Sequence, residues 1–421
     1  TRNIVMANYS NDFSIENLEV IRRYQSNEDN VFFAYSEFSY NTLVGAYEPF
    51  LDIICNMHRR FIGGSFDDFQ KECGVYYLHR QVLNSYYETG ECFREETVLL
   101  NEVAYEQRRM TMAIADMLKK LSEVKPLMIV INRFQMASKS SIETIKYLID
   151  NPCANIGIVL GVNAIVKGTD STVEVWDRIV ESLEDRSAIY YIGSAGPLKN
   201  NVKTTNDDEL YITMNFEQSI QEASNIMEFL DFEQARRGCR IIEHKLKFED
   251  AWIDEKSLRR FYMVYARTSV LLGEMSKAIE LTNEYKALIP ENDSEHYLSL
   301  YYFMKGTCYM YQGKLEKAGN SAKSAYDYAV LAEDDTLIFK AELLSVMIKM
   351  SGWYNIFFCV QDIPVSDEII EKLIKHGYRN HLAHIYIYAY DNSRDVVKQS
   401  FYDESLLKHF TKGLELAKEI G

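Results

Sequence analysis

The chain has 421 residues, 47% of them hydrophobic and 26% charged. That length suggests two or three domains, and that composition excludes a disordered, collagen-like or disulfide-scaffold protein. A net charge of −16 makes the chain as a whole a poor ligand for DNA or RNA, because nucleic-acid binding draws most of its affinity from neutralised phosphates.

Gly and Pro number only 19 and 6, which points to helices joined by short connections. No run approaches the ~18 uncharged apolar residues of a membrane span. The opening TRNIVMANYSNDF lacks the basic-then-apolar order of a signal peptide. Cys55, Cys73, Cys92, Cys153, Cys239, Cys308 and Cys359 form no CxxC. Reduced thiols and a cytoplasmic location are therefore expected. The 30 Tyr and 21 Phe read chiefly as helix packing with the phenols near the surface.

In chain order, residues 1–35 show a strand-like run (Asn3–Ala7), a loop, a helix-like run (Ile15–Tyr24) and a second strand-like run (Val31–Tyr35). Residues 45–123 read as helical over Tyr47–Ile62, Phe66–Tyr87 and Thr97–Leu121, punctuated by Gly63-Gly64 and Gly90. Residues 127–131, LMIVI, form a continuous apolar run of the kind buried on both faces of a parallel sheet. A helix over Ser141–Leu148, a strand over Ile156–Val162, a helix over Val173–Leu183 and a strand over Ala188–Ile192 follow. This alternation predicts an α/β domain with a parallel sheet. Pro197–Asp208 reads as a polar loop, followed by a short run at Leu210–Met214. From Phe216 to Gly421 strand signals nearly vanish, and paired helices are expected.

Within that last zone the pattern repeats. Gly306-x2-Tyr309-x3-Gly313-x4-Ala318 continues to Ala322 and Ala325; upstream lies Ala266-x6-Gly273-x4-Ala278 with Pro290 beyond; downstream lies Ser345-x6-Gly352-Trp353. Small residues let two helices approach closely, a Gly makes the turn, and each pair leaves an apolar face for the next to cover. The segment resembles the tetratricopeptide (TPR) repeat, best at 306–325 and least at 345–357, where Phe357 stands in the place of an Ala. The spacing of about 40 exceeds the usual 34. The resemblance implies an all-α superhelix over 216–421 that binds a protein or peptide. Tyr302, Lys305 and Tyr309 are the first candidates for a partner face, with packing as the plainer role. A generic helical-hairpin array is the alternative. The closing LELAKEIG reads as part of a repeat helix, so the repeat domain is expected to be truncated at its C-terminus.

The segment from LMIVI through Asn132-Arg133-Phe134-Gln135-Met136-Ala137-Ser138-Lys139-Ser140-Ser141-Ile142 resembles the second conserved strand of STAND and AAA-type signalling ATPases. Gln135, Ala137 and Ser141-Ile142 fit that pattern in register, and Tyr47-Glu48-Pro49-Phe50 resembles the start of the family's helical insert. The resemblance implies a P-loop-NTPase-like α/β domain over 1–215, with the insert at about 45–123. The chain departs from the family where chemistry is needed. A working site requires a Gly-rich loop, a Lys on the β/γ oxygens and a Ser/Thr on Mg²⁺. Here the loop is Asn8-Tyr9-Ser10-Asn11-Asp12-Phe13-Ser14-Ile15. Phe13 takes a Gly place, Ser14 the Lys place and Ile15 the hydroxyl place, and Asn8 and Asn11 belong to the same degenerate loop. On the acidic strand, Asn132-Arg133 replaces the carboxylate pair.

The expectation is therefore a cytoplasmic regulatory pseudo-ATPase with no catalytic residue and no required cofactor, weak ATP or ADP binding being left open. The alternative is a nucleotide-dependent switch controlling a transcriptional or cyclic-dinucleotide output domain outside these residues. A different doubly wound domain and a live, unusual NTPase also stay open. Arg133 or Lys139 could meet an anion but read better as solvated, and Asn163 stands where related ATPases place a polar sensor. His376, His381 and His384 have helical spacing but no nearby ligand set, so no metal is expected. Arg236-Arg237 and Arg259-Arg260 read as partners of flanking acids.

Overall fold

The computed structural model describes residues 3–9, 19, 30–38, 43–96, 98, 100–163, 165–167, 170–192, 202–204, 215–248, 253–292, 294–355, 367–386 and 404–420. The run Leu210–Met214, most of the helix expected at Ile15–Tyr24, and loop positions Asn11, Phe13, Ser14 and Ile15 lie outside them. The chain divides into two compact units. One is Thr1–Phe93 with Glu102–Ala251, and the other is Arg94–Asn101 with Trp252–Gly421. The sequence expectation divided the chain at 215/216. The helices Phe216–Glu228 and Phe232–Phe248 cluster instead with the sheet.

The first unit is built on a five-stranded parallel sheet of β1 (Ile4–Tyr9), β2 (Phe32–Glu37), β3 (Leu127–Asn132), β4 (Ile156–Val162) and β6 (Ile189–Ile192), in the order β2-β3-β4-β1-β6. A second, two-stranded sheet pairs β5 (Ile165–Lys167) with β7 (Val202–Thr204). That strand corrects the loop expected over Pro197–Asp208: a three-residue strand is too short to show a period against polar neighbours. Every residue of β3 is buried, which is why its sequence is an unbroken apolar run rather than an alternation.

Helices cover the crossovers. Between β2 and β3 run α1 (Phe50–Met57), α2 (Phe66–Glu72), α3 (Tyr77–Thr89) and α4 (Val103–Val124). Met110, Ile114, Met117 and Leu121 of α4 recur at helical spacing and are fully buried. The single helix expected over Phe66–Tyr87 is two, because the chain stops at Gly74. There the Gly74 N–H donates to the Lys71 carbonyl at 3.0 Å and the Val75 N–H to the Gln70 carbonyl at 2.9 Å. This Schellman pair ends α2. Then α5 (Lys139–Asp150) joins β3 to β4, and α6 (Asp170–Asp185) lies between β4 and β6. The unit closes with α7 (Phe216–Glu228) and α8 (Phe232–Phe248).

Strand order decides where a site can form. The chain leaves β1 toward the β2 edge but leaves β4 toward β6, so connections diverge at two neighbouring carboxyl ends. In open α/β sheets such a switch point opens the crevice that ligands use.

The second unit is helical: α9 (Glu255–Leu271), α10 (Met275–Ala287), α11 (Ser294–Tyr311), α12 (Leu315–Leu331), α13 (Asp335–Asn355), α14 (Asp367–Lys375), α15 (Arg379–His384) and α16 (Glu404–Ile420). The corners reuse one turn. Gly273 (φ 78°) and Gly313 (φ 70°) take the left-handed conformation, and the following N–H groups, of Glu274 and Lys314, reach back to Ser269 and Tyr309 at 2.8 and 2.9 Å. Only a residue without Cβ adopts that φ freely. Gly306 of α11 lies so close to its neighbours that a Cβ there would meet Leu344 at 3.0 Å and Ser321 at 3.4 Å. Ala318, Ala322, Ala325 and Ala329 form a fully buried stripe on α12. The third expected turn is absent: Gly352 lies inside α13, which runs on to Asn355. Phe339 and Leu343 of α13 form a core cluster with Leu373, Tyr378, Leu382 and Ile385 from the segments that follow it.

Candidate functional site

The carboxyl edge of the sheet holds Asn8, Asn132, Arg133 and Asn163, the described strand-end residues that the sequence singles out. Register sets Glu37 beside Asn132 and Asn8 beside Val162. Asn8 is fully buried, Tyr9 is 5% exposed and Asn132 8%. Although β4 separates β1 from β3, the Tyr9 side chain spans it, and its hydroxyl donates to Asn132 Oδ1 at 2.6 Å. The Arg133 backbone N–H donates to the same oxygen at 3.0 Å. Asn132 Nδ2 in turn donates to the Tyr35 hydroxyl at 3.4 Å.

Arg133 follows in the left-handed conformation (φ 55°, ψ 41°), starting the turn Phe134–Met136. Its guanidinium lies 3.2 Å from Glu37 Oε1, in an ion pair about a third exposed. Phe134 is fully buried edge-on to Trp176, with ring centroids 5.4 Å apart. Gln135 Nε2 donates to Asn163 Oδ1, tying the turn after β3 to the end of β4.

The N-terminus of α5 has its own anion. Ser138 caps it by accepting from the Ser141 N–H at 3.4 Å. The Ser140 N–H donates to Asp231 Oδ2 at 3.0 Å, while the Gln234 N–H donates to Asp231 Oδ1 at 3.3 Å. One buried carboxylate thus satisfies the starts of both α5 and α8. Burial raises the Asp231 pKa, against the opposing pull of the hydrogen bonds from Ser140 and Gln234. Lys139 lies 3.4 Å from Glu233 Oε1. Both cations singled out at this edge therefore face carboxylates of the chain.

Two oxygens at this edge that a Mg²⁺ could use are engaged within the chain. Mg²⁺ takes hard oxygens, usually one or two carboxylates beside the phosphates. A carboxamide oxygen has two lone pairs. Those of Asn132 Oδ1 already accept Tyr9 and Arg133, and the Glu37 carboxylate is paired with Arg133.

In the second unit, the candidate partner residues sit half-buried on α11. Tyr302 stacks on Tyr328 with centroids 5.6 Å apart and planes 5° from parallel. Lys305 Nζ donates to the Tyr301 hydroxyl at 2.8 Å. Tyr309 has Lys317 at 5.9 Å from its ring centre. These side chains form a band of phenols and ammonium groups along α11 and α12. The histidines diverge: His376 stacks on Phe339 at 4.4 Å, while His381 Nδ1 meets Glu96 Oε1 at 2.6 Å. Arg259, one of the basic pairs, donates to the Leu288 carbonyl at 2.8 Å and lies 3.8 Å from Glu255.

The sequence reading passed over Tyr9, Asp231 and Glu96. Asp231 had a visible signal, since Asp231-x2-Gln234 before an apolar helix is a capping pattern. Tyr9 and Glu96 had none, because their partners lie 123 and 285 residues away.

Among the described residues no helix is long and apolar enough to cross a membrane, and no group of three His, Cys, Asp or Glu side chains is placed to hold a metal ion. Comparison with protein-family models, with curated proteins and with solved structures returned no match for this chain.

Proposed function

We propose that this chain is a signalling or regulatory protein whose α/β unit is a degenerate P-loop-NTPase-like scaffold and whose TPR-like helical pairs hold a protein or peptide partner. One observation carries the reading. At the carboxyl end of β3, where the ATPases that the sequence resembles keep their acidic pair, the Asn132 carboxamide is filled by Tyr9 and by the Arg133 N–H. That arrangement replaces a metal-holding acid with a neutral hydrogen-bonded brace. The all-parallel sheet and the helical segment between β2 and β3 support the same reading. The partner function draws support from the hairpins over 255–331 and from the half-buried phenols along α11, a residue type suited to recognition surfaces.

A ligand that binds only the native state raises its melting temperature. The test is a thermal-shift series on the full chain with ATP, ADP and GTP at millimolar concentration, with and without Mg²⁺, paired with a phosphate-release assay. The expected result is no Mg²⁺-dependent shift and no release. A Mg²⁺-dependent rise of several degrees with turnover would overturn the scaffold reading.

A further inference from the structure

The opposite, amino end of the same sheet holds a cavity of about 540 Å³. That is within the ~300–1,000 Å³ range of small-molecule sites. It is framed by the starts of β1, β4 and β6 and by the ends of α5 and α6. Its walls are mainly apolar: Ile4, Leu148, Ile156, Leu183 and Ala188 line it, and all are buried.

Arg186 is the one cation among the described lining residues. Its Nη1 donates to the Ile149 carbonyl at 2.9 Å, and this bond anchors the guanidinium at the end of α5. Its remaining N–H groups have no protein acceptor among the described residues. The other polar liners are engaged. Asn3 Nδ2 donates to the Cys153 carbonyl at 2.7 Å, and Asp150 is paired with Lys146 at 2.6 Å. A half-open, largely apolar pocket with one exposed guanidinium, anchored at the Ile149 carbonyl and with donors left for a ligand, suits a single planar anion on an apolar body, because the guanidinium fork matches a carboxylate bidentately. The carbonyl ends of α5 and α6 oppose an anion here. Arg186 already caps one of them, and the charge-assisted pair is the stronger interaction.

We propose that this amino-edge cavity binds a small monocarboxylate with a compact apolar or aromatic body, its carboxylate seated on Arg186. The site is independent of the carboxyl-edge reading, since it shares no residue with it.

Cys153 provides a reporter. Cys153 is one of the lining residues and is half-buried, with Ser122 Oγ 3.4 Å from its sulfur. The experiment measures Cys153 alkylation by iodoacetamide in the full chain, resolved by peptide mass spectrometry, with phenylacetate as probe and phenylacetamide as its uncharged counterpart. Phenylacetate is expected to slow Cys153 labelling at least tenfold and to raise the melting temperature, while phenylacetamide does neither. Arg186→Gln should abolish the protection. Arg186→Lys, which keeps the charge and loses the fork, should weaken it several-fold, and an unchanged melting temperature without ligand shows that each variant is folded. Three outcomes would each overturn the proposal: no protection by phenylacetate, equal protection by the amide, or full protection in a folded Arg186→Gln protein.

Discussion

At the scale of single residues, the most loaded group is Glu222. Burial raises its pKa from the ordinary 4.5 to about 7, and the nearby Glu48 and Asp52 carboxylates push the same way. Glu48 accepts the Gly45 N–H at 2.9 Å, and Asp52 accepts the Tyr86 hydroxyl at 3.1 Å. The sign of the linkage follows. Between pH 4.5 and about 7 the folded chain keeps a proton on Glu222 that the unfolded chain has lost. Stability from this group is thus fully present below pH 4.5 and is lost as pH rises through about 7. The loss is on the order of 2–3 kcal/mol. Glu222→Gln should flatten the fall in urea midpoint across that window and leave the variant more stable than the parent at pH 8. An unchanged slope would place the titration elsewhere. Nothing in the local sequence announces this group. Glu222 sits in an ordinary helix, and Glu48 and Asp52 are some 170 residues earlier in the chain. Tyr9 and Asn132 were partly legible: Asn132 stood out as a departure from an acidic position, but its partner did not, because only the sheet brings β1 and β3 within reach.

At the scale of elements, the helical corners show how much periodicity and turn chemistry can tell. Gly273 and Gly313 were readable as turns because a small residue, a Gly and an Ala recur forty residues apart. The corner between α12 and α13 was hidden, because the same turn is made there by Glu333 at φ 53°. The Asp334 N–H still reaches the Ala329 carbonyl at 3.2 Å. A non-Gly residue in this conformation is strained by about 1 kcal/mol. Glu333→Gly should accordingly raise stability by about 0.5–1 kcal/mol, read from the urea midpoint. A loss of stability would mean that the Glu333 side chain contributes more than its backbone costs. Gly352 misled for the converse reason: a Gly in a helix interior costs only about 1 kcal/mol relative to Ala, which packing offsets, so α13 continues through it.

At the scale of the whole molecule, chain order and spatial grouping part company. Arg94–Asn101 lies in sequence between α3 and α4 of the first unit, yet it belongs to the second. Its Glu96 is fully buried there. The carboxylate accepts the N–H groups of Asn380 and His381 at 3.2 and 2.6 Å and meets His381 Nδ1 at 2.6 Å, and the Tyr378 hydroxyl donates to the Glu95 carbonyl at 2.6 Å. Removing one partner of such a buried group leaves the others unsatisfied, at a cost of about 3–5 kcal/mol. Glu96→Ala should therefore speed hydrogen exchange at the Tyr378–His384 amides far more than at the Gly313 turn. Equal exchange in both proteins would show that the segment is not held by Glu96.

By itself the sequence determined the parallel α/β unit, the five strands of its main sheet to within about two residues, the helical second half and two of its corners. Each of these rests on local periodicity, turn chemistry or burial on both strand faces, which act over a few residues. Tertiary structure alone decided the strand order, the brace of Tyr9 on Asn132, the grouping of α7 and α8 with the sheet, the return of Arg94–Asn101 to the distant helices and the cavity at Arg186. These depend on which distant segments meet, and a hydrogen bond between residues 285 positions apart leaves no pattern in either neighbourhood.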